Sequence, residues 1–397
     1  MYLNCKTYFS YRYGTFSTES LVKEGAENGV TAMALTNINN TSDLWDFYAF
    51  CKEYGIKPVL GTEIRNGDQF CYVLLAKNSS GLLQINTFLT CHLQQEKSFP
   101  ERPVFGDDVW VIYPLAEVAT TLQQNELIGV RPSQVNKLFS VDTASLRNKL
   151  VVLQPVSYKD KITYNLHRLL RAVDKNIILS KQTASEIAAT DEFFLSPSQI
   201  LSAFRQHSFI ITNTLHVLDS CAIEMAFDTD KNKKVFSASK EDDRILLEKL
   251  ALDGLSKRYG NNNREAAERV RKELAIINRL GFNAYFLITW DLIRYAQSRG
   301  FYYVGRGSGA NSIVAYCLEI TDVNPIDLDL YFERFLNPYR TSPPDFDIDF
   351  SWKDRDEIID YVFKRYGRQH VALLGMISTF QYNAILRELA KVFGLPK

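Results

Sequence analysis

Over roughly the first 90 residues the apolar positions switch between helical and extended spacing. Through ESLVKEGAENG (19–29) they recur with a helical period and Gly29 supplies the stop, after which VTAMALT (30–36) reads as a short buried strand. DLWDFYAFCKEYG (43–55) predicts a second helix, and KPVLGTEI (57–64) and FCYVLLA (70–76) predict two more strands. This alternation predicts an α/β unit of parallel strands with helical crossovers. From 130 to 225 the pattern weakens, with helices expected near 162–173, 197–205 and 214–226. Residues 226–242 are polar and charged, as in a linker.

Helical spacing then covers 243–299, broken at Gly260 to Asn263 and at Gly281. FYYV (301–304) reads as a strand and GRGSGANSIVAYCLEI (305–320) as a glycine turn feeding a helix. Beyond the breakers Asn324, Pro325, Asn337, Pro338, Pro343 and Pro344 lies SPPDFDIDFS (342–351). SWKDRDEIIDYVFKRYG predicts a helix capped by Ser351, with Ile358, Ile359, Val362 and Phe363 as its apolar stripe, and FQYNAILRELAKVFG predicts a last helix. No internal repeat and no low-complexity tract interrupts the chain.

In SPPDFDIDFS, extended backbone puts Asp345, Asp347 and Asp349 on one face and Phe346, Ile348 and Phe350 on the other. Three anions at that spacing repel unless a cation sits among them. A hard divalent ion such as magnesium, with oxygen ligands and substrate phosphates, would serve. An edge strand carrying solubilising acids is the competing reading.

The glycine turn GRGSGA (305–310) follows a strand and opens a helix, where backbone amides can approach an anion. A Walker loop is excluded because no Lys-Ser or Lys-Thr pair follows the last glycine. Gly305, Gly307 and Ala310 fit the looser dinucleotide fingerprint, but TDVNPIDLDL, broken by Pro325, replaces the second strand and acid that it demands. A tight structural turn is the third reading. Arg306 and Ser308 add a guanidinium and a hydroxyl suited to phosphate oxygens, and Arg334 and Arg340 lie between the turn and the acids. A phosphate loop, an arginine and paired carboxylates in that order suit nucleotidyl transfer.

Composition narrows the rest. A chain of 397 residues suggests two or three domains, and 46% hydrophobic with 23% charged residues is ordinary globular usage. No apolar run reaches membrane-spanning length, and MYLNCKTYFSYRYG lacks a signal-peptide pattern, so the cytoplasm is expected. The cysteines (5, 51, 71, 91, 221 and 317) form no CxxC pair, which points to reduced thiols. Zero formal net charge excludes a globally basic nucleic-acid binder.

GFNAYFLITWDLIRYA, VGRGSGANSIVAYCLEITDVNPIDLDLYFERFLNP and PPDFDIDFSWKDRDEIIDYVFKRYG resemble the palm of the bacterial DNA polymerase III alpha subunit, the C family of polymerases, from about 243 to 397. The resemblance implies a partial polymerase-beta-like nucleotidyltransferase palm. It makes Asp345 and Asp347 the catalytic, metal-binding carboxylates for two Mg2+ ions, with Asp349 as a further ligand. It also puts Gly307, Ser308 and Arg334 on the triphosphate of an incoming dNTP, to which the loop's own chemistry adds Arg306 as a nucleotide-binding candidate. Tyr303 and Val304 depart from the family's usual Gly-Pro pair. The family requires a third carboxylate and fingers further along, so these residues are expected to be the N-terminal part of a longer polymerase, inactive alone. Its partners would be primer–template DNA, the sliding clamp and other replisome subunits, the last two through regions further along the family's chain.

Residues 1 to about 225 are similar to the family's PHP domain, a distorted (β/α) barrel with metal-binding histidines and acids, through ESLVKEGAENGVTAMALTNINN, FCKEYGIKPVLGTEI and YVLLAKN. Here the ligand positions read Asn4, Lys6, Asn37 and Ile38, and only Glu63 survives, so no metal and no exonuclease activity are expected in this domain. His216 lies outside the ligand pattern, and the other histidines read as packing or surface residues. The full expectation is an α/β multidomain chain with a degenerate PHP-like barrel (1–225), a helical linker (226–275) and the palm's N-terminal part (276–397), running into the start of the thumb.

Overall fold

A computed structural model describes residues 1–115, 121–227, 229, 231–337, 339 and 344–395. It divides into two compact units, residues 1–226 joined by 378–397, and residues 227–377.

In the first unit the strands are β1 (Tyr2–Cys5), β2 (Ala32–Leu35), β3 (Lys57–Asn66), β4 (Gln69–Ala76), β5 (Val109–Pro114), β6 (Glu126–Val130), β7 (Leu150–Val152) and β8 (Pro155–Val156). They form one sheet in the order β7-β6-β5-β4-β3-β2-β1-β8. Its two edge strands are only three residues apart in the chain, from Val152 to Pro155, which holds them within about 11 Å of one another. Neighbouring strands lie about 4.8 Å apart, so the sheet must curl nearly shut. This is the distorted barrel expected from sequence. Leu3, Ala34, Val73, Ile112 and Val151 share one buried cluster and Cys5, Met33, Leu35, Ile128 and Val152 another. Both faces are therefore covered, which explains why the strands read as continuous apolar runs.

The helices of this unit are α1 (Thr18–Glu27), α2 (Leu44–Glu53), α3 (Ser79–Gln94), α4 (Lys161–Lys175), α5 (Pro197–Ala203) and α6 (Ser208–Ser220). Side-chain caps set several starts: Ser17 for α1, Asn78 for α3 and Asp160 for α4. Two expectations need correction. The helix expected at 214–226 begins earlier and ends at Ser220. The sheet is not all parallel, because β3–β4 and β4–β5 are antiparallel. The cause is legible in hindsight: Gly67-Asp68 joins β3 to β4 as a two-residue turn, with Gly67 at φ 60° in its first position.

The second unit holds α7 (Lys240–Tyr259), α8 (Arg264–Arg279), α9 (Asn283–Arg299), β9 (Tyr303–Arg306), α10 (Ile313–Cys317), β10 (Asp347–Phe350) and α11 (Arg355–Tyr366). Ser239 and Asn263 cap α7 and α8. Their core gathers Leu247, Val270, Ile277, Phe286, Ile313 and Phe335. At Gly254 of α7 a Cβ would lie 2.1 Å from the Cys317 carbonyl oxygen, so only glycine lets α7 and α10 approach this closely. Ser351 does not cap α11: Asp354 is the N-cap residue, while the Ser351 hydroxyl accepts from Lys353 N–H at 3.3 Å. The last helix, α12 (Tyr382–Val392), packs on α4 and belongs to the first unit, not with 276–377.

Candidate nucleotide and metal site

β9 and β10 pair antiparallel, with Arg306 opposite Asp347, Gly305 opposite Ile348 and Val304 opposite Asp349. Phe346, Ile348 and Phe350 turn toward the core: the Phe346 ring stacks on Tyr285 at 5.4 Å and meets Phe286 edge-on, and its backbone N–H donates to the Tyr285 hydroxyl at 3.0 Å. Asp345, Asp347 and Asp349 are exposed. The alternation expected of an extended segment thus holds.

The glycine turn wraps against this face. Gly307 has φ 72°, a region that favours glycine, and a Cβ there would lie 2.5 Å from Asp347 Oδ2. At Gly305 a Cβ would lie 2.0 Å from the Ile320 carbonyl oxygen, so the turn is pressed onto the segment after α10. Tyr303 anchors the strand by donating its hydroxyl to the Glu319 carbonyl at 2.8 Å. Asn311 Nδ2 donates to the Ser308 carbonyl at 2.9 Å and fixes the middle of the loop. The 3-10 turn Phe332–Arg334 packs against Gly307–Asn311 and leaves Arg334 exposed beside the loop. Arg340 lies outside the described residues.

Two features differ from the sequence reading. Arg306 faces the carboxylates: its Nε donates to Asp349 Oδ2 at 2.7 Å and its Nη1 to Asp347 Oδ2 at 3.4 Å. A guanidinium here supplies the cation that the acid cluster needs, and it binds the pair Asp347 and Asp349, with Asp345 just before the strand. Second, the amino end of α10 is already filled from within the protein. Val314 N–H donates to Glu273 Oε2 at 3.2 Å and Ala315 N–H to Ser312 Oγ at 3.1 Å. Two amides of the helix end are therefore already satisfied within the protein.

The donors Asp345, Asp347 and Asp349 are oxygen-only and solvent-facing, a chemistry that fits a hard divalent ion whose shell is completed by phosphate oxygens. Among the described residues no group of three or more His, Cys, Asp or Glu side chains is placed to hold a metal ion. Of the basic residues after the acids, Arg355, Lys364, Arg365, Arg387 and Lys391 are each paired with a carboxylate.

In the first unit Asn4, Lys6, Asn37, Ile38 and Glu63 sit where β1, β2 and β3 end or bend. The Lys6 ammonium lies 2.7 Å from Glu63 Oε2 with the two side chains 0% and 1% exposed, and it donates to Asn4 Oδ1 at 2.7 Å. Asn4 Nδ2 donates to the same Glu63 oxygen at 2.7 Å, and Arg65 Nε donates to the other at 2.5 Å. Burial alone would raise the Glu63 pKa, but Arg65 and Lys6 outweigh it and hold the carboxyl at about 2. Asn37 serves the neighbouring loop, donating to Asp43 and accepting from Thr7 N–H and Ser10, while Ile38 meets Glu63 only through backbone. A lysine ammonium thus occupies the centre of this polar cluster.

Of the histidines, His167 is buried: its Nδ1 lies 2.6 Å from the Tyr13 carbonyl and its Nε2 accepts from Ala188 N–H at 2.8 Å. Burial lowers its pKa to about 4.

Residues 245–397 match the model of the bacterial DNA polymerase III alpha NTPase domain, and residues 3–176 match that of the PHP domain. The chain therefore carries a PHP domain followed by a bacterial DNA polymerase III alpha NTPase domain. Among similar proteins are the error-prone DNA polymerase of Symbiobacterium thermophilum (30% identical, over 99% of this chain and 41% of that protein) and DNA polymerase III subunit alpha of Halalkalibacterium halodurans (30%, 95% and 37%). The Bacillus subtilis DNA polymerase III subunit alpha is 28% identical over 100% of this chain and 38% of its own length. The chain thus spans about two fifths of the length of these curated relatives. Among the described residues no helix is long and apolar enough to cross a membrane.

Three side chains that hold these clusters together were not legible as motifs. Arg65 is the second cation on Glu63, and Arg269 and Glu273 of α8 reach the glycine turn from below. Their signal, an Arg and a Glu at i and i+4 within ERVRKEL, is the same as that of an ordinary solvated helix face.

Proposed function

We propose that this chain forms the N-terminal part of a replicative-type, DNA-directed DNA polymerase that adds dNTPs to a primer 3'-hydroxyl by two-metal nucleotidyl transfer. The observation that carries the reading is the β9–β10 register, which sets the positive-φ glycine of a phosphate-type loop directly against the Asp347 carboxylate. Asp345 and Asp347 would hold two Mg2+ ions, with Asp349 beside them. When bound, such ions supply neutralisation of the triphosphate and alignment of the attacking and leaving oxygens. Gly307 and Ser308 present backbone amides to the triphosphate, and Arg334 adds a guanidinium at the edge of the loop. Arg306 neutralises Asp347 and Asp349 in the absence of substrate and must exchange its partners when nucleotide arrives.

On this reading incorporation also requires the third carboxylate and the fingers that the family resemblance implies, so residues 1–397 bind nucleotide without extending a primer by themselves. Primer–template DNA, a sliding clamp and other replisome subunits are the partners of the whole polymerase, and its compartment is the cytoplasm. The experiment is primer extension by the polymerase containing this chain, with and without Asp347→Asn. A loss of at least about a hundredfold is expected, since one charged group aimed at the transition state is worth that much. Extension indifferent to the change would favour the alternative, a non-catalytic nucleotide-binding or structural module, for which the Arg306 pairing with both acids is the supporting observation.

We infer further that the PHP domain has no metal-dependent exonuclease activity, because Lys6 supplies the cation that the Glu63 cluster requires. Robust manganese- or zinc-dependent 3' to 5' hydrolysis that vanishes with Glu63→Gln would overturn this.

A further inference from the structure

Arg269 and Glu273 lie one turn apart on α8, with Arg269 Nε 3.2 Å from Glu273 Oε1. Each side chain also reaches outward to a different piece of backbone. Glu273, fully buried, accepts from Ser312 Oγ at 2.8 Å and from Val314 N–H at 3.2 Å through Oε2. Arg269 Nη2 donates to the Asn311 carbonyl at 2.9 Å and to the Leu330 carbonyl at 2.6 Å, and its Nη1 reaches the Pro325 carbonyl at 3.4 Å. Asn311 and Ser312 end the glycine turn; Pro325 to Leu330 lead directly into the Phe332–Arg334 turn.

One ion pair, with its carboxylate buried and its guanidinium half-buried, therefore joins the two segments that carry the proposed phosphate contacts. The connection continues inward, because Asn311 Nδ2 holds the Ser308 carbonyl. A guanidinium is well matched to this bridging position, since its planar fork satisfies several carbonyls at fixed angles, where a lysine ammonium would act as a point charge. The carboxylate in turn compensates the guanidinium and fills the amino end of α10.

We propose that Arg269 and Glu273 are positioning residues of the nucleotide site, fixing the spacing between Gly307–Ser308 and Arg334 without touching the triphosphate. This rests on the polymerase reading above. The test uses the 397-residue chain with Arg269→Met, Arg269→Lys, Glu273→Ala and Glu273→Gln, and two readouts. The first is amide hydrogen exchange over 305–316 and 325–336. The second is the affinity for Mg-dATP relative to Mg-dAMP, a ratio that general loosening of the fold does not move.

Arg269→Met is expected to speed exchange in both segments together, by about tenfold, the scale of one lost hydrogen bond to a charged group. Exchange within α7 stays unchanged, and the preference for dATP over dAMP falls by a similar factor. Arg269→Lys recovers little of either. Glu273→Gln, which keeps an acceptor, falls between the original chain and Glu273→Ala, and Arg269→Lys and Glu273→Gln carry the test if Arg269→Met fails to fold. Exchange altered in only one segment or in neither, or an unchanged dATP preference, overturns the proposal. Failure of the unaltered chain to bind Mg-dATP while exchange still changes in both segments would sink the nucleotide reading and leave the mechanical link between the segments standing.

Discussion

Replacing Lys6 by methionine removes a buried ammonium from a carboxylate that has almost no access to water, with both side chains at most 1% exposed. Methionine has similar length, so the change is one of charge rather than of volume. Breaking one half of a buried pair leaves an uncompensated charge and typically costs about 3–5 kcal/mol. The pKa of Glu63 gives a second route to the magnitude. Its fall from the ordinary 4.5 to about 2 corresponds to roughly 3 kcal/mol of preference for the ionised form in the folded state. Arg65 and Lys6 share that preference, so the loss from Lys6 alone is expected near the lower end, about 2–3 kcal/mol. For a unit of this size each kcal/mol moves the midpoint by roughly 2–4 °C, so Lys6→Met should melt about 4–12 °C below the original chain. The assay is thermal unfolding followed by circular dichroism, with the double variant Lys6→Met/Glu63→Gln completing a cycle. The double variant should be more stable than the sum of the single losses by at least about 1 kcal/mol. A Lys6→Met midpoint within a degree of the original, or strict additivity in the cycle, would refute the claim that the ammonium is the internal counter-ion of this cluster.

Acid should unfold the first unit in two windows. His167 is neutral when folded, its pKa depressed from 6.5 to about 4, so its contribution is complete above pH 6.5, is lost as pH falls toward 4, and the variant His167→Gln should flatten that part of the curve. Glu63 acts lower: its contribution is complete above 4.5 and disappears toward pH 2, and Glu63→Gln should abolish that limb in urea titrations run at each pH. Gly307→Ala, forced to φ 72° with its methyl against Asp347, should destabilise the second unit by about 1–2 kcal/mol and weaken Mg-dATP binding measured by calorimetry. Gly305→Ala, whose methyl would meet the Ile320 carbonyl oxygen at 2.0 Å, should cost more than Gly307→Ala in the same melt; an equal or smaller loss would show that the turn can draw away from the segment after α10.

Much of this architecture could be read from local pattern because the elements that carry it are strongly periodic. The breaks at Gly260 and Gly281 separate α7, α8 and α9 as expected, and the alternation of Asp and Phe or Ile in SPPDFDIDFS survives as an exposed acidic edge over an aromatic core. What escaped depended on long-range pairing. The antiparallel β3–β4 turn was signalled by Gly67-Asp68, yet the helical crossovers on either side favoured an all-parallel reading. The register also sets Arg306 opposite Asp347, so that it pairs with Asp347 and Asp349 across the strands, a contact that spacing along the chain does not show. Ser351 lost the α11 cap because its hydroxyl closes a tighter turn to Lys353 N–H. Substitution at the Glu63 cluster was visible as the absence of histidines, but only the fold shows that Lys6 points into the cluster.

The most direct test of the central claim is crystallography of this chain with Mn2+ and a non-hydrolysable dNTP analogue, using anomalous scattering to locate the metal. The account predicts an anomalous peak bonded to Asp347 and Asp345 oxygens, Arg306 released from its carboxylates, and triphosphate density over Gly307 and Ser308. Asp345 and Asp347 left facing solvent, with the analogue bound elsewhere or not at all, would contradict it.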